Sequence, residues 1–355
     1  MARLIFGKLL AFLRSSLLAL SLLIVVLIAC LVGVMFLPEQ VAMKVIFASL
    51  WFNGLLALLV LNIAFCFFPR IWHRKVTAVS LGLIIFHLSF ILLFVGIVYD
   101  SLFYFRGTIR LTEGETLDLG NPQSYDRIEL GRFFKLEAKL KGQVAFHKLL
   151  TRYMVDGKNK GVANEVSIGD GSNVVQGIVY TTRHLKYNGL KFYRKVDGFS
   201  PLFILWDSEG RELYGAYSPL QSFKQKDDKY LYTTGTANAP DSIPFPQEPM
   251  NPVFRIQTIY DPNLKIAKGG DVTFRVWRFS EHHSEKGEEI FSGRAATGEK
   301  VKAGDYYLSM NEVRYWASMD IRCNPGLPLI LTSLWIGLGG IILTTVARLI
   351  NNKMG

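Results

Sequence analysis

Four stretches of this 355-residue chain contain no Asp, Glu, Lys or Arg: Ser15–Leu37, Ala48–Phe68, Thr77–Val98 and Leu327–Ala347. Each is 21 to 23 residues long, and at about 1.5 Å of rise per residue a helix of that length crosses a hydrocarbon core of roughly 30 Å. The fold class expected is therefore an integral membrane protein with four transmembrane α-helices.

The basic residues orient these helices. Arg3, Lys8 and Arg14 precede the first run, Arg70, Arg74 and Lys75 separate the second from the third, and Arg348 and Lys353 follow the fourth. The loop between the first two runs holds only Glu39 and Lys44. Short loops rich in Lys and Arg stay in the cytoplasm. Both termini are thus expected inside, with a large extracytoplasmic domain inserted between helices 3 and 4. The expected division is 1–98 for the amino terminus and three helices, 99–326 for the outer domain, and 327–355 for the last helix and tail.

The net charge of +11 follows the same pattern. Of 40 Lys and Arg and 29 Asp and Glu, 9 and 1 lie in the helices, short loops and tails, which leaves 31 and 28 for the outer domain. Most of the excess is topological signal and gives no support to nucleic-acid binding. Leu27-Ile28-Ala29-Cys30 resembles a lipoprotein cleavage site, but the apolar run continues through Leu37 where a lipoprotein turns polar. The first run is accordingly read as a retained helix.

The segment from Asp100 to Pro325 reads as β-rich. Val174–Thr182, Lys191–Val196, Leu202–Trp206, Val253–Tyr260, Val272–Phe279 and Tyr306–Val313 are short, β-branched or aromatic runs bounded by turn residues. Ser208-Glu209-Gly210 marks a hairpin, and Pro240–Pro252, with five prolines, marks a loop. Of the three cysteines only Cys323 belongs to this segment, so it folds without an internal disulfide. Phosphate-loop, zinc-protease, nucleophile-elbow and CxxCH motifs are missing from the sequence. His282-His283 reads as part of a polar loop, and His147 and His184 as surface or strand residues rather than ligands.

His87 departs from this plain pattern, because it stands at the midpoint of the third apolar run. Ionisable groups at that depth face protein, water or a cofactor, and an apolar surround favours the uncharged imidazole that can bind a metal. The competing reading is a histidine hydrogen-bonded to a neighbouring helix. On the same run Gly82, Ser89 and Gly96 recur every seven residues as a small-residue stripe suited to close helix packing. His87 lies well away from that stripe, with Leu83, Ile84, Phe90, Ile91 and Phe94 on its face. The stripe is expected to pack within the chain, and His87 to look toward an apolar pocket or another subunit.

Taken in order, several segments resemble the ResB/CcsB family of cytochrome c biogenesis proteins. They are Ser15-Ser16-Leu17 through Leu37-Pro38-Glu39-Gln40; Ser49-Leu50-Trp51-Phe52 through Asn62 and Cys66 to Arg70; His87; and Ser101-Leu102-Phe103 through Gly107 to Glu113-Gly114-Glu115. Leu185 to Tyr193 and Asn324-Pro325-Gly326-Leu327-Pro328-Leu329 complete the set. The resemblance implies a subunit of a complex that carries haem across the bacterial cytoplasmic membrane and presents it for covalent attachment to apocytochrome c. It implies His87 as the cofactor-binding residue and axial ligand of the haem iron. The partners it implies are a ResC/CcsA-type membrane subunit, apocytochrome c and a thiol-disulfide oxidoreductase. The tryptophan-rich segment of that membrane partner is missing, since the six tryptophans here are scattered, and no catalytic residue is assigned. Two other readings stay open at this point: a membrane-anchored extracytoplasmic sensor, and a haem-binding electron-transfer subunit.

Overall fold

The computed structural model describes residues 11–72, 77–171, 173–225, 229–236, 239–247, 249–263, 269–279 and 287–354. They form two compact units. A helical unit runs to Arg106, takes in Ile128–Lys139 and resumes at Arg322; a β-rich unit comprises Gly107–Arg127 and Leu140–Ile321.

The helical unit contains four apolar helices: α1 (Ser16–Met35), α2 (Leu50–Trp72), α3 (Ala78–Phe103) and α4 (Leu327–Met354). Three of them, α1, α3 and α4, are long and apolar enough to cross a membrane; the apolar part of α2 is the shorter Leu50–Cys66. Side chains define the helix starts. Ser15 Oγ accepts from Leu18 N at the head of α1. Thr77 and Ser80 form a reciprocal capping box at the head of α3, each side chain accepting from the other's backbone N–H. Between α1 and α2 the chain makes a short helix, Glu39–Ala42, and a five-residue π-helix, Met43–Phe47.

Helices α1 and α2 meet α3 through Leu22, Val26, Ala29, Phe52, Leu56, Leu59 and Phe94. On another face α3 meets α4 almost backbone to backbone. A Cβ added at Gly82 would lie 2.4 Å from Thr344 Oγ1 and 2.8 Å from Gly340 O, and one at Gly340 would lie 2.8 Å from Gly82 O. Gly337 seats Ser89 and Gly326 seats Gly96 in the same way. The expected stripe therefore does pack within the chain. The segment Ile128–Lys139 belongs here because it returns to the end of α3: Gly131 N donates to Tyr104 O and Phe133 N to Leu102 O, both within 2.9 Å.

In the β-rich unit the largest sheet follows the order Glu212–Tyr217, Leu190–Trp206, Tyr306–Cys323, Phe105–Thr112 and Tyr125–Leu130, with Lys300–Ala303 and Leu185–Tyr187 at its margins. A six-stranded sheet runs Gln221–Lys224, Tyr230–Thr233, Phe254–Pro262, Gly270–Arg278 and Glu289–Ala296, with Ile243–Phe245 beside it. Alternate residues of each, among them Phe203, Leu205, Leu308 and Met310 from the first and Phe254, Ile256, Tyr260 and Phe274 from the second, form one buried core. A four-stranded sheet, Thr116–Asp118, Gln143–Leu150, Ala163–Gly169 and Val174–Tyr180, buries its own Val144, Phe146, Val166 and Ile168.

The hairpin at Ser208-Glu209-Gly210 is present, with Asp207 Oδ1 accepting from Glu209 N and Arg211 N. Two expectations need correction. Lys191–Val196 and Leu202–Trp206 are parts of one 17-residue strand, since the chain between them stays extended and brings Gly198 against the Trp316 indole. The proline-rich stretch contains the strand Ile243–Phe245, which pairs Ile243 with Ile256 and Phe245 with Phe254 and has a cis peptide before Pro246. Proline is tolerated in a short edge strand because no neighbour needs its missing N–H there.

Candidate functional site

Most segments that carried the resemblance hold the fold together. Asn62, fully buried on α2, donates from Nδ2 to Leu13 O and Ser15 O, tying α2 to the start of α1. Asn53 Nδ2 donates to Ser101 Oγ at 2.9 Å, and Ser101 donates to Phe47 O in the π-helix. Asp100, at the end of α3, accepts from Gly326 N at 3.0 Å and from Asn324 Nδ2 at 3.3 Å. A carboxylate there meets the unsatisfied N–H groups and positive dipole end of α4.

Glu113-Gly114-Glu115 is a turn clasp. Glu113, buried, accepts from Leu149 N at 2.8 Å and Tyr315 N at 3.4 Å, Gly114 takes φ +88°, and Glu115 accepts from Thr112 N at 2.7 Å. It lies in a polar cleft of about 620 Å³ that also contains Tyr217 and Arg314. Burial, with the Tyr217 hydroxyl donating to Glu312, pushes the Tyr217 pKa up to about 12. Leu185 to Tyr193 is a hairpin whose Asn188-Gly189 turn has both φ angles positive, at +48° and +80°, as a two-residue loop demands.

His87 has different chemistry. It sits half-buried near the middle of α3, with Nδ1 2.8 Å from Leu83 O. A carbonyl oxygen only accepts, so Nδ1 carries the ring proton and the lone pair of a neutral imidazole is on Nε2. Phe86 meets the ring edge-on at 5.5 Å, and Phe90 stacks on Phe94 at 6.3 Å along the same side of the helix. The side of α3 that presents Phe90 and Phe94 packs on α1 and α2, so part of the face expected to look outward is covered within the chain. With Nδ1 turned to Leu83 O, the tautomer that protonates Nδ1 is the one whose Nε2 could ligate a metal such as haem iron.

His147 Nε2 is 2.8 Å from Ser167 Oγ on an exposed strand pair. His184 tilts against Tyr193 at 4.9 Å, and burial, followed by the charges of Lys191 and Lys186, holds its pKa below the usual histidine value. His282-His283 lies outside the described residues. Cys323 ends the strand Tyr306–Cys323 half-buried, and the three cysteines are thiols. Among the described residues no group of three or more His, Cys, Asp or Glu could hold a metal ion.

Residues 74–194 match the family model described as the ResB-like family. Over that span, about a third of its length, the chain is similar to the ResB-like family. The matched span takes in α3 with His87, the Glu113 clasp and the Asn188-Gly189 hairpin. ResB-like proteins take part in cytochrome c biogenesis, and three helices of this chain are long and apolar enough to cross a membrane. No curated protein sequence matches it. Sequence reasoning missed the Asp100 clamp on α4, although an Asp just past an apolar run and an Asn-Pro-Gly before the next is a readable pair of helix-end signals.

Proposed function

We propose that this chain is one half of a cytochrome c maturation complex: it binds haem in the membrane through His87, carries it across, and presents it to apocytochrome c together with a ResC/CcsA-type subunit. The observation that supports this reading is the His87 ring, whose Nδ1–H is committed to Leu83 O so that Nε2 is the ligating nitrogen. Haem held there supplies an iron centre and the vinyl groups to which apocytochrome thiols are joined. The protein's own contribution would be to orient the imidazole, set Phe86 against its edge, and leave the second axial position to a partner.

The reading includes four membrane crossings in the bacterial cytoplasmic membrane. Helix α2 is 23 residues long, about 34 Å at the rise of an α-helix, which is enough for a crossing. Both termini are then cytoplasmic and the β-rich segment extracytoplasmic, as the basic loops require.

The test is the His87→Ala variant of the complex, co-expressed with its partner. Haem co-purifying with the complex and the yield of cytochrome c should both fall, while membrane-inserted protein stays at its usual amount. A His87→Gly variant should regain part of its haem on addition of imidazole. A His87→Ala complex that assembles and keeps an unchanged haem spectrum would remove the residue from the mechanism. A purified complex that exchanges electrons with a redox partner but makes no cytochrome c would instead favour electron transfer.

A further inference from the structure

Residues 128–139 interrupt the β-rich unit in sequence yet belong to the helical one, and haem ligation by His87 gives them no task. Gly131 N and Phe133 N are bonded to backbone carbonyls at the end of α3, and buried Phe134 stacks on Phe105 at 5.1 Å. That anchoring decides what is left outside. Phe133 is 54% exposed, and Leu130 is exposed beside it. The Phe133 ring lies 5.8 Å from Phe103, which lies 5.0 Å from Tyr99, also exposed. A row of rings thus runs from the last turns of an apolar helix onto this segment.

The same end of the helical unit carries Trp51. Asn53 Nδ2 donates to Ser101 Oγ at 2.9 Å, so the start of α2 is level with the end of α3. Trp51 is exposed there while its indole N–H donates to Val45 O. Trp and Tyr collect at the headgroup level of a bilayer because each has an apolar body and a polar tip. Arg132 and Lys135 flank Phe133 and Phe134; both are exposed, and neither has an ion-pair partner among the described residues. Glu137 and Lys139, further along, are exposed and opposite in sign. Glu129, before them, is half-buried and already engaged. Two cations therefore stand unmatched beside an exposed phenylalanine.

Such a ring between two cations, at the end of a helix long and apolar enough to cross a membrane, fits a bilayer with negative headgroups. The ring enters the acyl boundary, and the long basic side chains rise to the phosphates. We propose that Leu130–Lys135 is a docking site for anionic phospholipid, with Leu130 and Phe133 at the acyl boundary and Arg132 and Lys135 on the headgroups. Through the backbone bonds of Gly131 and Phe133 the bound lipid fixes the depth of α3, the helix that bears His87. The proposal rests on α3 crossing a membrane, which is part of the proposed function, and not on haem.

The test is hydrogen exchange of the full chain in nanodiscs of phosphatidylcholine, alone or mixed with phosphatidylglycerol, followed in the peptide that contains Leu130–Lys135. Exchange there should slow several-fold with phosphatidylglycerol, since each basic residue at an anionic surface strengthens attraction roughly fivefold. In the double variant Arg132→Gln, Lys135→Gln the difference between the two lipids should vanish. Both positions are exposed, so the melting curve should not change. Phe133→Ser should speed exchange in both lipids. Equal exchange in the two lipids, a difference that survives the double substitution, or indifference to Phe133→Ser would each overturn the proposal. So would slowing by inorganic phosphate in phosphatidylcholine alone, which marks a soluble-anion site, or slowing only with the partner membrane subunit present, which marks a protein interface. Nanodiscs expose both faces of the bilayer, so the result is independent of the side on which the segment lies. Release of the chain from membranes by alkaline carbonate would overturn the crossing itself, and His87 enters neither measurement.

Discussion

The helical unit brings its elements together where side chains are smallest, and the β-rich unit where they are largest. Helices α3 and α4 touch at Gly82, Gly96, Gly326, Gly337 and Gly340, so closely that an added Cβ would strike backbone at most of these positions. The two large sheets touch through Phe203, Phe254, Tyr260 and Phe274, all nearly fully buried. The surroundings explain the difference. In water, burying apolar area stabilises by about 25 cal/mol per Å², so large side chains are drawn inward. In hydrocarbon that gain disappears, and helices hold one another by close van der Waals approach. Large side chains in the helical unit are free to face outward, as Trp335 does at 73% exposure.

The comparison can be broken from either side. In the β-rich unit removal of volume should be the damaging change: Phe203→Ala should cost about 3–5 kcal/mol, seen as a lower melting temperature and faster proteolysis of that unit. If the loss were under ~1 kcal/mol, the core would not be what holds the sheets. In the helical unit addition of volume should be damaging. Gly82→Leu should destabilise by roughly 1–3 kcal/mol or more, measured as detergent-resistant folded protein, whereas Leu334→Ala, at a position 55% exposed, should change little. Equal tolerance of both substitutions would dispose of the close α3–α4 contact.

Smaller effects sharpen the same contrast. Asp100→Ala removes the carboxylate that accepts from Gly326 N and Asn324 Nδ2, a loss of about 1 kcal/mol by the usual worth of a helix cap. It should appear as reduced thermal stability of the helical unit, and Asp100→Asn should recover part of it. The weakest effect is a pH dependence in the β-rich unit. The unfolded chain takes up a proton at His184 near the ordinary value of 6.5, whereas the folded chain takes it up only at lower pH. Below 6.5 the unfolded state therefore binds more protons, and stability declines as pH falls through that value, levelling once the folded histidine is also protonated. Melting curves between pH 8 and 5 should show the decline, and His184→Gln should flatten it.

The helices were legible in the sequence because an unbroken apolar run is a local property, and so was the Gly82, Ser89 and Gly96 stripe, which follows from spacing alone. His87 stood out by residue type at a known depth. The pairing of Ile243–Phe245 with Phe254–Ile256 was hidden because five prolines are a stronger local signal than a partner strand further along the chain. The attachment of Ile128–Lys139 to the end of α3 depends on backbone bonds from Gly131 and Phe133, which leave no trace in composition.

The contact between α3 and α4 also has a consequence for how the chain is made. Their glycines face each other across the fold, but the ribosome must synthesise everything between Phe103 and Leu327 before the second helix exists. At about 5–20 residues per second that interval is on the order of ten seconds or longer. Throughout it Gly82 and Gly96 belong to a helix without its mate, with peptide groups covered only by lipid or by whatever protein attends the nascent chain. Assembly of this membrane unit is thus timed by the production of the β-rich segment, and a pause in translating that segment would prolong the vulnerable state of a helix completed long before.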